Sequence, residues 1–134
     1  MNLIPTLTAD DADHAVATAL SAAASAGIAV TIAVVDAAGN LLSLKRMHGA
    51  RAFSIDLATR KARTAAAVGV GTGMLAQMYK DRPAPADLMI LPGGVPALSG
   101  GATAGAVGVS GGPPDIDEKI AAAAVAVISP AKPD

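Results

Sequence analysis

Arg46, Met47 and His48 stand together in SLKRMHGA, and Lys61 follows in ATRKARTAA, so cationic, sulfur and titrating side chains are concentrated in one short interval. Lys61 is the anomalous member. Projected at about 100° per residue, Phe53, Leu57, Lys61, Thr64 and Val68 share roughly a quarter turn of one helix, which puts a lysine on the face that should meet a sheet. Two chemistries fit it. Its stem can cover apolar surface while the ammonium reaches water or a carboxylate such as Asp36 or Asp117. Alternatively the ammonium is held in a pocket, where it fixes an anion or, with its pKa lowered by desolvation, acts as a base. His48 is either a solvated loop residue or an acid, base or iron ligand, since a free imidazole titrates near pH ~6.5. Arg46, if buried, needs a carboxylate from Asp36, Asp117 or a ligand, because an unpaired buried cation is costly. His14 falls on the polar face of the first helix and reads as surface.

Glycine supplies the second signal. Eight of the fourteen glycines fall between Gly93 and Gly112, in GGVPALSGGATAGAVGVSGG. Gly100-Gly101 reads as a hairpin turn that needs positive φ. Gly93-Gly94, stiffened by Pro92 and Pro96, can present backbone amides to a ligand. Ser110-Gly111-Gly112 precedes a helix whose free amides suit a carboxylate or phosphate. Neither segment matches a P-loop or a dinucleotide-binding turn. With two separated histidines and no cysteine, only an oxygen site around Asp115, Asp117 and Glu118 is left for a metal, so none is expected. Ser110 lacks the context of a nucleophile elbow.

The elements that position these residues can be read from period and punctuation. Thr8 with Asp10 and Asp11 starts a helix over Ala9 to Ala26, and Gly27 stops it. Val30 to Val35 is β-branched and apolar, Asp36 to Asn40 supplies turn chemistry, and Leu41 to Arg46 returns as the second strand of a hairpin. Helical period resumes from Ala50 to Val68, and a short helical piece follows from Met74 to Tyr79. Leu88 to Leu91, Val95 to Leu98 and Ala104 to Ser110 read as three further strands. Pro113 and Pro114 open a last helix that reaches about Ile128, with Asp115, Asp117 and Glu118 in its acidic first turn. Residues 129–134 read as a loose tail. Hairpins outnumber crossovers, which predicts a mostly antiparallel sheet flanked by helices in one domain spanning residues 1–134.

Composition narrows the function. The chain has 134 residues, 52% hydrophobic but only 1% aromatic, so its core must be built from Ala, Val, Ile, Leu and Met. A net charge of −1 offers no footprint for nucleic acid. No apolar run is long enough to span a membrane and no signal-peptide pattern is visible, so a cytoplasmic protein is expected.

VVDAAGNLLSLKRMHGA, ATRKARTAA, the GGVP turn, GAVGVSGG and the acidic helix start together resemble the GlcG/HbpS-like proteins, also found as the carboxy-terminal domain of PduO. The resemblance runs from Leu7 to Ile128. It implies an α+β, profilin-like three-layer sandwich with a five-stranded antiparallel sheet, and assembly into dimers or larger oligomers. It also implies haem as the candidate cofactor, since some relatives bind or degrade haem, while others accompany pathways for small organic acids or diols. In the family pattern the position of His48 is more often acidic, as RMDGA, so RMHGA introduces a titrating group.

Three readings follow. The first, which the resemblance supports, is a tetrapyrrole- or small-molecule-binding protein with the ligand near Lys61, His48, Arg46 and the glycine turns, and with His48, Met47 and Lys61 as possible haem ligands. The second is a cofactor-independent isomerase or lyase on a small organic acid, held by Arg46 and the Gly93-Gly94 amides, with Lys61 or His48 moving the proton. The third is a metabolite sensor at the same pocket. Scarcity of aromatic side chains weighs against a buried haem.

A mean hydropathy of +0.49 is high for a domain this small, which has much surface and few charges to cover it. A homo-oligomer is therefore expected: light scattering after size exclusion should give a multiple of 13.0 kDa, and a monomer would overturn this.

Overall fold

The computed structural model describes residues 4–128. Helix α1, Ala9–Ala26, begins where the sequence places it, at a capping box. The Thr8 hydroxyl accepts from the Asp11 amide at 3.2 Å, and the Asp11 carboxylate accepts from the Thr8 amide at 2.8 Å. Gly27 closes the helix at φ 71°, with its N–H reaching the carbonyls of Ala23 and Ala24.

Strands β1, Thr31–Asp36, and β2, Leu41–Arg46, form the expected hairpin, with one register irregularity between Val34 and Val35. Asp36 caps the turn through one carboxylate oxygen, which accepts from Ala38 at 3.0 Å and from Asn40 at 2.9 Å. Helix α2 is Phe53–Val68 and α3 is Thr72–Met78. Strands β3, Gly94–Ser99, and β4, Ala102–Ser110, are joined at Gly100 and Gly101, both at positive φ. Helix α4 is Pro114–Ala126, ending short of the expected Ile128. Residues 129–134, read from sequence as a tail, lie outside the described residues.

The sheet has four antiparallel strands in the order β2-β1-β4-β3, so the five-stranded expectation is corrected. Leu88 to Leu91 does not form a strand. The Leu88 amide donates to Pro85 O at 3.1 Å and the Met89 amide to the Thr64 hydroxyl at 3.0 Å. A local turn and a side chain of α2 therefore take up backbone groups that a ladder would need.

Helices α1 and α4 cover one face of the sheet and α2 covers the other. The first core packs Ile32, Val34, Val107 and Val109 against Ala15, Ala19, Ile120 and Ala124. The second is almost entirely alanine, with Ala33 and Ala106 of the sheet under Ala58, Ala62 and Ala65 of α2. Strand register explains why. Ala33 pairs with Gly108, and Gly108 with Gly94, so across β1, β4 and β3 this row carries no side chain larger than a methyl, and only Leu44 at the β2 edge is large. Helix α2 settles onto that row. A Cβ at Gly108 would fall inside 3.0 Å of the backbone at Ala58 and Ala62. The helix is consequently turned from the expected face: its alanines meet the sheet, while Phe53 and Val68 are exposed.

Gly108→Ala should destabilise the fold by about 3 kcal/mol in urea unfolding, since rigid backbone is overpacked. A loss under about 1 kcal/mol would mean that α2 can ride further from the sheet.

Candidate functional site

Lys61 lies on the edge of the alanine stripe, and the close approach of α2 leaves its stem only the surface of Gly93 and Gly94. A Cβ at Gly93 would meet the Lys61 stem and Nζ inside 3.0 Å, and one at Gly94 would meet the Lys61 backbone. The ammonium is thus threaded to the end of β4, where Nζ donates to Val109 O at 3.0 Å. Lys61 is 2% exposed.

Its charge is met by Asp117, 1% exposed, whose Oδ2 lies 3.4 Å from Nζ. Asp117 sits in the first turn of α4, and its Oδ1 accepts from the Gly112 amide at 2.9 Å. The carboxylate therefore occupies the helix-start amides that the sequence offers to an outside anion. Of the two carboxylates named for Lys61, the structure selects Asp117, because Asp36 is committed to its own turn. Burial lowers the Lys61 pKa against the opposing pull of Asp117, and burial raises that of Asp117 against the pull of Lys61.

The pair borders a cavity of about 190 Å³. Ser110 and Gly111 contribute polar lining, and Phe53, Leu57, Leu91 and Pro114 form the apolar rim. Ser110 is buried and pairs across the sheet with Thr31, which pairs with Arg46. One register row thus runs from the cavity to the sheet edge, and adjacent strand spacings of about 4.8 Å put the Arg46 and Ser110 backbones roughly 10 Å apart. Thr31 is sealed beneath α2 by a 2.7 Å hydrogen bond with Ser54.

The remaining candidates separate from the pair. Arg46 is exposed and donates to Ala50 O at 3.0 Å, so it is not the buried, carboxylate-paired arginine considered from sequence. Met47 is half-buried against the α1 side, with its sulfur accepting from the Val30 amide at 3.4 Å. His48 is exposed, lies outside the lining of the Lys61 cavity, and makes no hydrogen bond among the described residues. His14 is exposed. The Gly94 amide is not free for a ligand, since it donates to the buried Thr72 hydroxyl at 2.9 Å. Asp115, Asp117 and Glu118 do not converge, because Glu118 instead accepts from the Gly73 amide at 3.0 Å. Sequence reasoning missed Leu91 and Pro114 as rim residues and Thr72 as the Gly94 partner. Leu91 lies in the connection between α3 and β3, and Thr72 and Pro114 open α3 and α4, so what they meet depends on tertiary packing, for which no period exists.

The sequence over residues 7–126 matches the family described as haem degrading protein HbpS-like. The chain belongs to the HbpS-like family. Among its relatives is an uncharacterised 15.0 kDa protein of Citrobacter freundii from the dhaT-dhaS intergenic region, 33% identical over 73% of this chain and 75% of that one. The fold is similar to that of a double mutant of HbpS from Streptomyces reticuli, with TM-score 0.86, 37% identity and coverage of 96% of this chain and 91% of that chain. It is also similar to the PduOC haem complex, with TM-score 0.85, 26% identity and coverage of 96% and 99%. No helix of this HbpS-like chain, among the described residues, is long and apolar enough to cross a membrane.

Breaking the buried pair in this HbpS-like protein should be expensive: Asp117→Ala should cost about 3–5 kcal/mol, and a Lys61→Met/Asp117→Leu double variant far less. The two groups impose opposite pH slopes. The folded chain keeps the Asp117 proton where the unfolded chain has lost it, so this group's contribution falls as pH rises above 3.8. The folded chain sheds the Lys61 proton where the unfolded chain still holds it, so that contribution rises as pH approaches 10.5. Stability of the wild type relative to the double variant should therefore be lowest at intermediate pH, as read by urea unfolding at about pH 4, 7 and 10.

Proposed function

We propose that this HbpS-like chain binds a tetrapyrrole at the end of the sandwich bounded by the β2–α2 connection, the Lys61 cavity and the glycine turns. The observation that carries the reading is likeness along nearly the whole chain to a protein whose structure is a haem complex. The donor set fits in part. His48 is an exposed imidazole with no internal partner among the described residues, as an iron ligand requires. Lys61 and Met47 fit poorly in that role, since their heads are committed to Asp117 and Val109 and to Val30. Arg46 is exposed close to His48 in sequence and suits a propionate.

A cavity of about 190 Å³ lies below the usual range of roughly 300–1,000 Å³ for enclosed ligand sites. The macrocycle would accordingly lie across the rim, against exposed Phe53 and Leu91, rather than within the fold. In this reading Gly93, Gly94, Ser110, Lys61 and Asp117 form the wall behind it. Exposed Leu41 and Leu44 on the β2 edge and Leu98 on the β3 edge support a homo-oligomer, in which a second copy would cover one of these edges.

The acid-base alternative is favoured at one point, the buried Lys61–Asp117 pair. For a small organic acid it is disfavoured, because Asp117 already neutralises the cation and occupies the Gly112 amide.

Haemin added at micromolar concentration should give a shifted Soret band, and His48→Ala should weaken binding by about tenfold or more, about 1.4 kcal/mol. An unshifted band with wild-type protein removes the tetrapyrrole reading, and an unchanged band with His48→Ala removes this ligand assignment.

A further inference from the structure

Lys61 and Asp117 are among the most deeply buried side chains of the chain, yet both border the same small cavity. A purely structural ion pair does not require such an opening. Lys61 Nζ uses two donors, on Val109 O and Asp117 Oδ2, and has no third acceptor among the described residues. Asp117 is fixed through its other oxygen by the Gly112 amide. An amine, an adjoining proton carrier and a hydroxyl from Ser110 thus line one space with apolar walls.

We propose that Lys61 forms a Schiff base with a short, uncharged aldehyde admitted to this cavity, with Asp117 carrying the proton. The proposal rests on reading the Lys61 cavity as a ligand site. Three features set the ligand class. At about 30 Å³ per water-sized group, the 190 Å³ space holds a compound of roughly four to six heavy atoms. The pair is neutral in sum and its helix-start amide is taken by Asp117, so a carboxylate or phosphate gains no free cation. Phe53, Leu57 and Leu91 favour an alkyl chain, and Ser110 can donate to a carbonyl or hydroxyl oxygen.

The steps balance without a redox partner. Asp117 accepts a proton from the Lys61 ammonium, a transfer eased because burial disfavours the charged form of both. The neutral amine then attacks the carbonyl carbon, forming the C–N bond. The carbonyl oxygen takes up the proton lost from nitrogen and becomes a carbinolamine hydroxyl. Asp117 returns its proton to that hydroxyl, the C–O bond breaks, water leaves, and the nitrogen lone pair closes the C=N bond. In sum, the Lys61 ammonium plus aldehyde gives protonated imine plus water, and Asp117 begins and ends as a carboxylate beside the cation.

The test is reductive trapping with propionaldehyde and sodium cyanoborohydride on the full chain, read by intact mass and peptide mapping. The expected result is one propyl adduct on Lys61, formed at least about tenfold faster than on exposed Lys45, Lys80 and Lys119, with a rate optimum at lower pH than theirs. Asp117→Asn should slow Lys61 trapping about tenfold and leave the exposed lysines unchanged. Should that variant fail to fold, Leu91→Trp serves instead, since it narrows the rim without touching the pair and should suppress only the Lys61 adduct. Adducts confined to exposed lysines, or Lys61 trapped only after unfolding, overturn the proposal. Saturation-transfer NMR with propionaldehyde separates the two levels of failure. Transfer without an adduct leaves the cavity as a ligand site and removes the imine, whereas no transfer removes the cavity reading as well.

Discussion

The close approach of α2 to the sheet is the constraint from which the rest of the site follows. Ala33, Gly108 and Gly94 form a floor without side chains of any size, and the helix answers with Ala58, Ala62 and Ala65. At that separation a long side chain on the edge of the stripe cannot stand upright. Lys61 is laid along Gly93 and Gly94 and delivers its charge to the end of β4. A cation placed there needs an anion, and the first turn of α4 supplies Asp117. Packing in one layer thereby fixes an electrostatic contact with the layer on the other face.

Chemically, the end of the sandwich is divided. Inside the rim lies a matched acid and base, desolvated and neutral in sum. Outside it stand a free imidazole and an arginine, each open to solvent. Arg46 and Ser110 belong to one register row, so the two zones are held by the same strands and not by independent loops. A flat, partly charged ligand can address the outer zone, while only a small neutral one suits the inner.

Much of this was legible in the chain. Thr8, Asp11 and Gly27 mark α1 to the residue, because capping and left-handed closure are local. The β1–β2 hairpin and the Gly100-Gly101 turn are legible for the same reason. Lys61 stood out as a charge on a face that should be apolar, and it is buried. Other features were not local. Leu88 to Leu91 is apolar enough for a strand, but the backbone partner of Met89 is the Thr64 hydroxyl. The rotation of α2 was hidden because large side chains dominate a periodicity argument, whereas the floor admits only small ones. Nothing in RMHGA distinguishes a histidine aimed at Lys61 from one turned to solvent, and the structure places it outside the cavity lining.

The glycine and alanine floor also bears on how such a scaffold can diversify. Side chains beneath α2 cannot grow without lifting the helix, so the inner wall of the cavity is effectively frozen. Freedom to change shape is left to Phe53, Leu91 and Pro114, which stand on loops or at the first turns of helices where bulk can be added toward solvent. Relatives with the same chassis should therefore differ in what they accept chiefly through these few lip positions, with the lysine behind them left in place.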